Sequence, residues 1–60
     1  MNNDFYDRIL LEIKSLGKVK ARTLAKMFNI EKCEMNRILY FVLKEDGQVD
    51  VDENFYWFCV

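Results

Sequence analysis

The stretch QVDVDENFYWFCV, residues 48–60, decides the fold of this 60-residue chain. Polar and apolar residues alternate in its first four positions, as they do in a strand with one buried face. Its last six positions, FYWFCV, are aromatic or β-branched with one cysteine, which is typical of a second strand. The polar stretch DEN between them is short, so the two strands are predicted to form a hairpin.

Three helices are predicted before this hairpin. The first is capped by Asn3 or Asp4 and ends before Gly17, which favours a helix C-terminus. Its apolar face is expected to consist of residues at helical spacing, namely Phe5, Ile9, Ile13 and Leu16, with Tyr6 beside them.

The second and third helices follow a short strand-like run at residues 18–20, whose Val19 is expected to point inward. The second helix covers residues 21–28, and its core-facing residues are Ala21, Leu24, Ala25 and Phe28. The third runs from about residue 31 to residue 44, and its buried stripe is Met35, Ile38, Leu39 and Val42. A turn at residues 45–48 then leads into the hairpin, with Gly47 free to take a positive φ.

This order of helix, short strand, helix, turn, helix and hairpin is that of a winged helix-turn-helix. We therefore predict a small α+β fold in which three helices are followed by a C-terminal β-hairpin wing. Residues 1–60 are expected to form a single domain. A plain three-helix bundle is the alternative, and the strand-like residues 48–60 argue against it.

The composition argues against several classes of function. The chain has no His, and its two cysteines, Cys33 and Cys59, are far apart, so we expect neither a metal site nor a disulfide framework. No apolar run is long enough to span a membrane, and residues 1–8 do not resemble a signal peptide. Because so short a chain leaves no room for a catalytic cleft, we expect no catalytic residues and no cofactor. We expect a soluble protein of the cytoplasm or nucleus.

The charges are unevenly distributed along the chain. Residues 14–37 contain seven Lys or Arg and two Glu, whereas residues 38–60 contain one Lys and five acidic residues. A basic middle segment indicates an anionic partner, although a solvated charged face is the alternative.

The third helix carries a polar stripe as well as its apolar one. On a helical wheel Lys32, Asn36 and Tyr40 lie together, away from the buried stripe, and Arg37 adjoins them. In a helix-turn-helix this is the helix that contacts nucleic acid. Lys and Arg bind phosphates, Asn can donate to a phosphate or a base edge, and Tyr offers a hydroxyl and a flat ring. The alternative is that Asn36 is a tolerated surface residue and Tyr40 packs against the wing.

Nearly the whole chain resembles a known family. The residues that carry the resemblance are Lys32, Asn36, Arg37, Leu39 and Tyr40 on the third helix and Trp57 on the last strand. In this pattern the chain is similar to the Zα domain, the winged-helix module that binds left-handed double-stranded DNA and RNA. That domain occurs in RNA-editing adenosine deaminases, a cytosolic nucleic-acid sensor, fish antiviral kinases and poxvirus interferon antagonists.

The resemblance implies a role for each of these polar and aromatic residues. Asn36 would bind a backbone phosphate directly or through water, and Lys32 and Arg37 would contact phosphates. The ring of Tyr40 would pack against a guanine in the syn conformation, and Trp57 would buttress that ring and bond a phosphate through water. The implied partner is Z-form double-stranded DNA or RNA, bound by one domain of a larger protein in nucleic-acid sensing or in its viral antagonism.

The wing departs from the family pattern. The family usually carries a Pro-Pro pair before the Trp, where this chain has residues 54–56, NFY, and no proline anywhere. Asp50, Asp52 and Glu53 are expected to lie near the phosphates and to weaken binding. Cys33 stands where the family commonly has a second Lys. Two alternative functions follow, namely a protein-interaction module that uses the FYWF edge and a regulator that binds B-DNA.

Overall fold

The computed structural model describes residues 4–60, which form three helices and a three-stranded antiparallel sheet. The elements in chain order are α1 (Asp4–Leu16), β1 (Lys18–Lys20), α2 (Ala21–Met27), α3 (Lys32–Ile38), a π-helical segment (Leu39–Leu43), β2 (Val49–Val51) and β3 (Tyr56–Cys59). The predicted α+β class, with three helices and a C-terminal hairpin as in a winged helix, is confirmed. The proposed Asn3 cap lies outside the described residues.

The last strand is the centre of the sheet, because the strand order is β1-β3-β2. Trp57 pairs with Val19 on one side and with Val51 on the other. Successive strand residues face opposite sides of a sheet, so these three residues share the face that packs on the helices. Trp57 is 1% exposed and is the largest fully buried side chain. The strand-like run before α2, predicted as one rung of a sheet, is thus part of the same sheet as the wing.

The core is built mainly from residues at the predicted positions. The buried residues are Ile9, Ile13, Val19, Ala21, Leu24, Ala25, Met35, Ile38, Leu39, Leu43, Val49 and Trp57. Leu16 is an exception, since it is 49% exposed at the last position of α1. Phe5, as predicted, packs half-buried against the core, and so do Tyr6 and Leu10. The core-facing side of α1 therefore follows residues 5, 6, 9, 10 and 13, and the prediction for Leu16 was wrong.

The third helix widens at residues 39–43. The Lys44 amide donates to the Leu39 carbonyl at 2.8 Å, which spans five residues rather than the four of an α-helix. The wider turn shifts the inward positions by one residue. Leu43 is consequently 1% exposed, and Val42 is only half-buried. The prediction that Val42 belongs to the buried stripe is corrected in favour of Leu43.

This shift predicts unequal costs for two neighbouring truncations. Leu43→Ala should lower the free energy of unfolding by about 2–5 kcal/mol, because it leaves a cavity in the core. Val42→Ala should cost about 1 kcal/mol, since its side chain is half-buried. Urea unfolding followed by circular dichroism measures both. A larger loss for Val42→Ala would mean that the helix keeps its α-helical period through residue 43.

Candidate nucleic-acid interface

The loop of the wing is organised by Asp52. One oxygen of its carboxylate accepts hydrogen bonds from the amides of Asn54 and Tyr56, both at 2.9 Å. Its carbonyl accepts from the Phe55 amide at 3.0 Å, and its own amide donates to the Tyr56 carbonyl at 3.0 Å. Bonds from amides to a charged acceptor are stronger than neutral ones, so this one residue holds the turn between β2 and β3 in a single shape.

Asp50 also has partners close by. Its carboxylate accepts from the Val51 amide at 2.8 Å and lies 4.0 Å from the Lys44 ammonium. Both groups of this ion pair are exposed, so the pair adds little stability. The pair does place the Lys44 ammonium beside Asp50, which is one of the acids expected to repel phosphates.

Phe55 occupies a backbone conformation that phenylalanine rarely adopts. Its φ is 66°, in the left-handed region, where a side chain like this one costs about 1–2 kcal/mol. Asn29 is the other non-glycine residue of this kind among residues 4–60, with φ 57°, but asparagine tolerates the region. The ring of Phe55 is 67% exposed, so core packing does not offset this strain.

Tyr40 packs on Trp57, as the resemblance implies. The ring centroids are 4.8 Å apart, and the planes meet at 81°, the edge-to-face geometry that aromatic pairs prefer. Trp57 is fixed by the sheet and the core, so it fixes the orientation of the tyrosine ring. Tyr40 nevertheless remains 38% exposed and can contact a partner.

Tyr40 borders an open groove of about 530 Å³ between the third helix, the start of α2 and the wing, which we term the wing groove. Its cationic residues are Lys20, Arg22 and Lys32, and its aromatic residues are Tyr40, Phe55 and Trp57. Ala21 and Asn36 complete the lining. Four of the five predicted site residues are therefore brought together here, and Arg37 is not among them.

Arg37 borders a second open groove of about 500 Å³, which we term the helix groove. It is lined by Cys33, Asn36, Arg37, Tyr40, Phe41, Lys44 and Glu45. Asn36 and Tyr40 line both grooves, so they form the border between them. All five predicted residues thus belong to one continuous surface.

The wing groove favours an anion more strongly than the helix groove does. Three cations and no acidic residue line the wing groove, whereas Glu45 lies among the residues of the helix groove. The Lys20 ammonium lies 5.2 Å from the centroid of the Tyr56 ring, which is not among the lining residues of the groove. Such a contact restrains a long side chain that would otherwise be mobile.

Three residues of the wing groove were not predicted individually. Lys20 and Arg22 belong to the basic segment 14–37, so the charge count pointed to their region without distinguishing them from the other cations there. The sequence singles out Phe55 as part of the FYWF edge and as a residue that stands where the family has a proline pair, but not as a nucleic-acid contact. No feature of the sequence predicts the positive φ of Phe55.

Among residues 4–60, no cluster of three or more His, Cys, Asp or Glu residues could hold a metal ion. None of the helices formed by these residues combines the length and the apolar character needed to cross a membrane. No protein-family model, curated protein or solved structure matches the chain.

The two cysteines differ in environment. Cys33 is exposed at the helix groove, whereas the Cys59 thiol is partly buried and lies 3.7 Å from the Leu10 carbonyl, to which it donates. Burial raises the pKa of Cys59 above its ordinary value, and the nearby Lys14 ammonium opposes this effect. Cys59 consequently keeps its proton to a higher pH in the folded protein than in the unfolded chain.

This difference predicts selective alkylation. Because the thiolate is the reactive form, iodoacetamide at about pH 8 should modify Cys33 before Cys59 in the folded protein. Folding should slow the reaction of Cys59, and its rate should rise toward that in urea as pH increases through the raised pKa. Mass spectrometry of timed samples measures both sites, and a Cys33→Ser variant isolates Cys59. Equal rates for Cys59 with and without urea would contradict its burial.

Proposed function

We propose that the chain is a non-catalytic binding module for left-handed, Z-form double-stranded DNA or RNA. The observation that carries this proposal is the Tyr40 ring, which Trp57 holds at 81° in a cationic groove beside Asn36 and Lys32. The contact between Tyr40 and Trp57 and the shared groove lining of Tyr40, Asn36 and Lys32 support the roles that the resemblance implies.

The chemistry of this surface suits a nucleic-acid backbone. Lys32 and Arg37 supply cations from one helix, and Asn36 supplies an amide between them. A zigzag backbone differs from a B-form backbone in the positions of its phosphates, so a fixed array of donors can distinguish the two by shape. A rigid helix is well suited to hold such an array because its side chains have fixed spacing.

Tyr40 provides the part of the surface that contacts a base. An aromatic ring can pack on any exposed base, and this contact is worth about 1–3 kcal/mol. A guanine in the syn conformation exposes surface that the anti conformer of a right-handed duplex keeps stacked, so a fixed ring selects the left-handed form. Because Trp57 already fixes the ring, binding would not have to supply the free energy needed to order Tyr40.

The wider role follows from the resemblance. A module of this kind would act beside another domain in a longer protein, in nucleic-acid sensing or in its viral antagonism, in the cytoplasm or nucleus.

The aromatic edge gives less support to a protein-interaction module. Within the run FYWF, Trp57 is buried, and Tyr56 and Phe58 are half-buried. Phe55 alone is exposed in this run, so the four residues do not form the continuous apolar patch that marks a protein interface.

Circular dichroism of an alternating CG duplex tests the proposal. The protein should invert the long-wavelength bands of the duplex, whereas Tyr40→Ala should fail to do so and should lose about 1–3 kcal/mol of binding. Tyr40→Phe keeps the ring and should retain most of the conversion. Leu11→Ala, on the exposed side of α1, is the matched control for an apolar truncation. Wild-type protein that leaves the duplex right-handed, or a folded Tyr40→Ala variant that converts it fully, would overturn the proposal.

Salt dependence tests the phosphate contacts separately. If Lys32 and Arg37 each contact a phosphate, replacing either by Ala should reduce the slope of log K against log salt by about one unit. Lys26→Ala makes the same change of charge at an exposed position outside both grooves and should leave the slope nearly unchanged. Fluorescence anisotropy of a labelled duplex over a series of salt concentrations gives the slopes. Equal slopes for all three variants would remove Lys32 and Arg37 from the interface.

A further inference from the structure

Phe55 occupies a position where other residues would suit the backbone better. The loop bonds around it run from backbone amides to Asp52, so they do not depend on the side chain at position 55. Glycine or asparagine would accept the φ of 66° with less strain. A strained residue held by its surroundings is a feature of ligand-binding sites, where the strain positions a side chain.

The position of the ring indicates what it contacts. Phe55 extends from the wing into the lining of the wing groove, where Tyr40 lines the groove from the helix side. Lys20, Arg22 and Lys32 surround the same space, and no acidic residue lines it. At about 530 Å³ the groove falls within the size range of small-ligand sites. Aromatic rings with several cations are the chemistry that binds a nucleotide, whose base stacks while its phosphate is neutralised.

The syn guanine proposed to contact Tyr40 presents only the part of its surface that lies open in the nucleic-acid groove. A base inside an intact duplex cannot offer a complete face to a second ring such as Phe55. Both of its faces are covered by its neighbours in the stack, and only its edges are accessible in the grooves. A base that has left the stack exposes a complete face, and proteins hold such bases against aromatic side chains. The ligand suited to Phe55 is therefore an unpaired nucleotide.

We infer that the wing groove binds an extrahelical nucleotide of the nucleic acid, with Phe55 as its stacking surface and Lys20 and Arg22 as its phosphate contacts. The inference rests on the proposed function, because both use Tyr40 and Lys32, and it adds a preferred ligand class. That class is a duplex interrupted by an unpaired base.

The test compares two labelled alternating CG duplexes, one intact and one with a single bulged thymidine, by fluorescence anisotropy. Wild-type protein should bind the bulged duplex about tenfold or more tightly than the intact one, since one stacking contact is gained. Phe55→Gly and Phe55→Asn should reduce this ratio to about one. Phe55→Trp keeps an aromatic face and should preserve the ratio.

The free energy of unfolding distinguishes a binding role of Phe55 from a structural role. Urea unfolding should show that Phe55→Gly and Phe55→Asn are at least as stable as wild type, because both replacements relieve the left-handed backbone. A clear loss of stability in both variants would make Phe55 a structural residue and would overturn the inference. A wild-type ratio near one would also overturn it.

The two proposals fail in different ways. If the wild type inverts the circular dichroism of the intact duplex but shows no preference for the bulge, the proposed function stands and the inference on Phe55 fails. If the intact duplex stays right-handed while the preference for the bulge is lost in Phe55→Gly, Z-form binding fails and the nucleotide site is supported.

Discussion

The edge-to-face contact between Trp57 and Tyr40 links the core of this small protein to its candidate site. Trp57 is paired on both sides within the sheet and is almost completely buried. A 60-residue domain buries only about 60% of the surface of its unfolded chain, a smaller share than a larger domain buries, so a side chain of this size contributes a large part of the buried apolar area. The same ring sets the angle of Tyr40, so a change of Trp57 at the centre of the sheet would also change the candidate site.

The overall fold could be predicted because its patterns are local. Alternation in residues 48–51 and helical spacing in residues 9–13 reflect burial directly, so both elements were found. The π-helical segment could not be predicted, because a single wide turn leaves no repeating pattern in the sequence. The one-residue shift that it causes explains why Leu43, rather than Val42, completes the core.

The candidate site was predictable to the extent that it lies on one element. Lys32, Asn36 and Tyr40 are one turn apart, so a helical wheel groups them without any knowledge of tertiary structure. Lys20 and Phe55 come from separate parts of the chain and reach the wing groove only through the pairing of β1 with β3. Spacing along the sequence carries no information on that pairing, because it is set by packing of the whole sheet.

The hydrogen bonds of the wing loop explain how this acidic loop keeps one shape without a proline pair. A proline pair would restrict the loop through its fixed φ angles, whereas here the Asp52 carboxylate restricts it by accepting two backbone amides. This arrangement places a negative charge in a wing proposed to lie near phosphates, but the two amide bonds partly neutralise it. Asp50 is likewise offset by Lys44, which leaves Glu53 as the acid of residues 50–53 without such compensation. The order of the loop, and with it the strained position of Phe55, therefore depends on a residue whose charge alone suggested only repulsion.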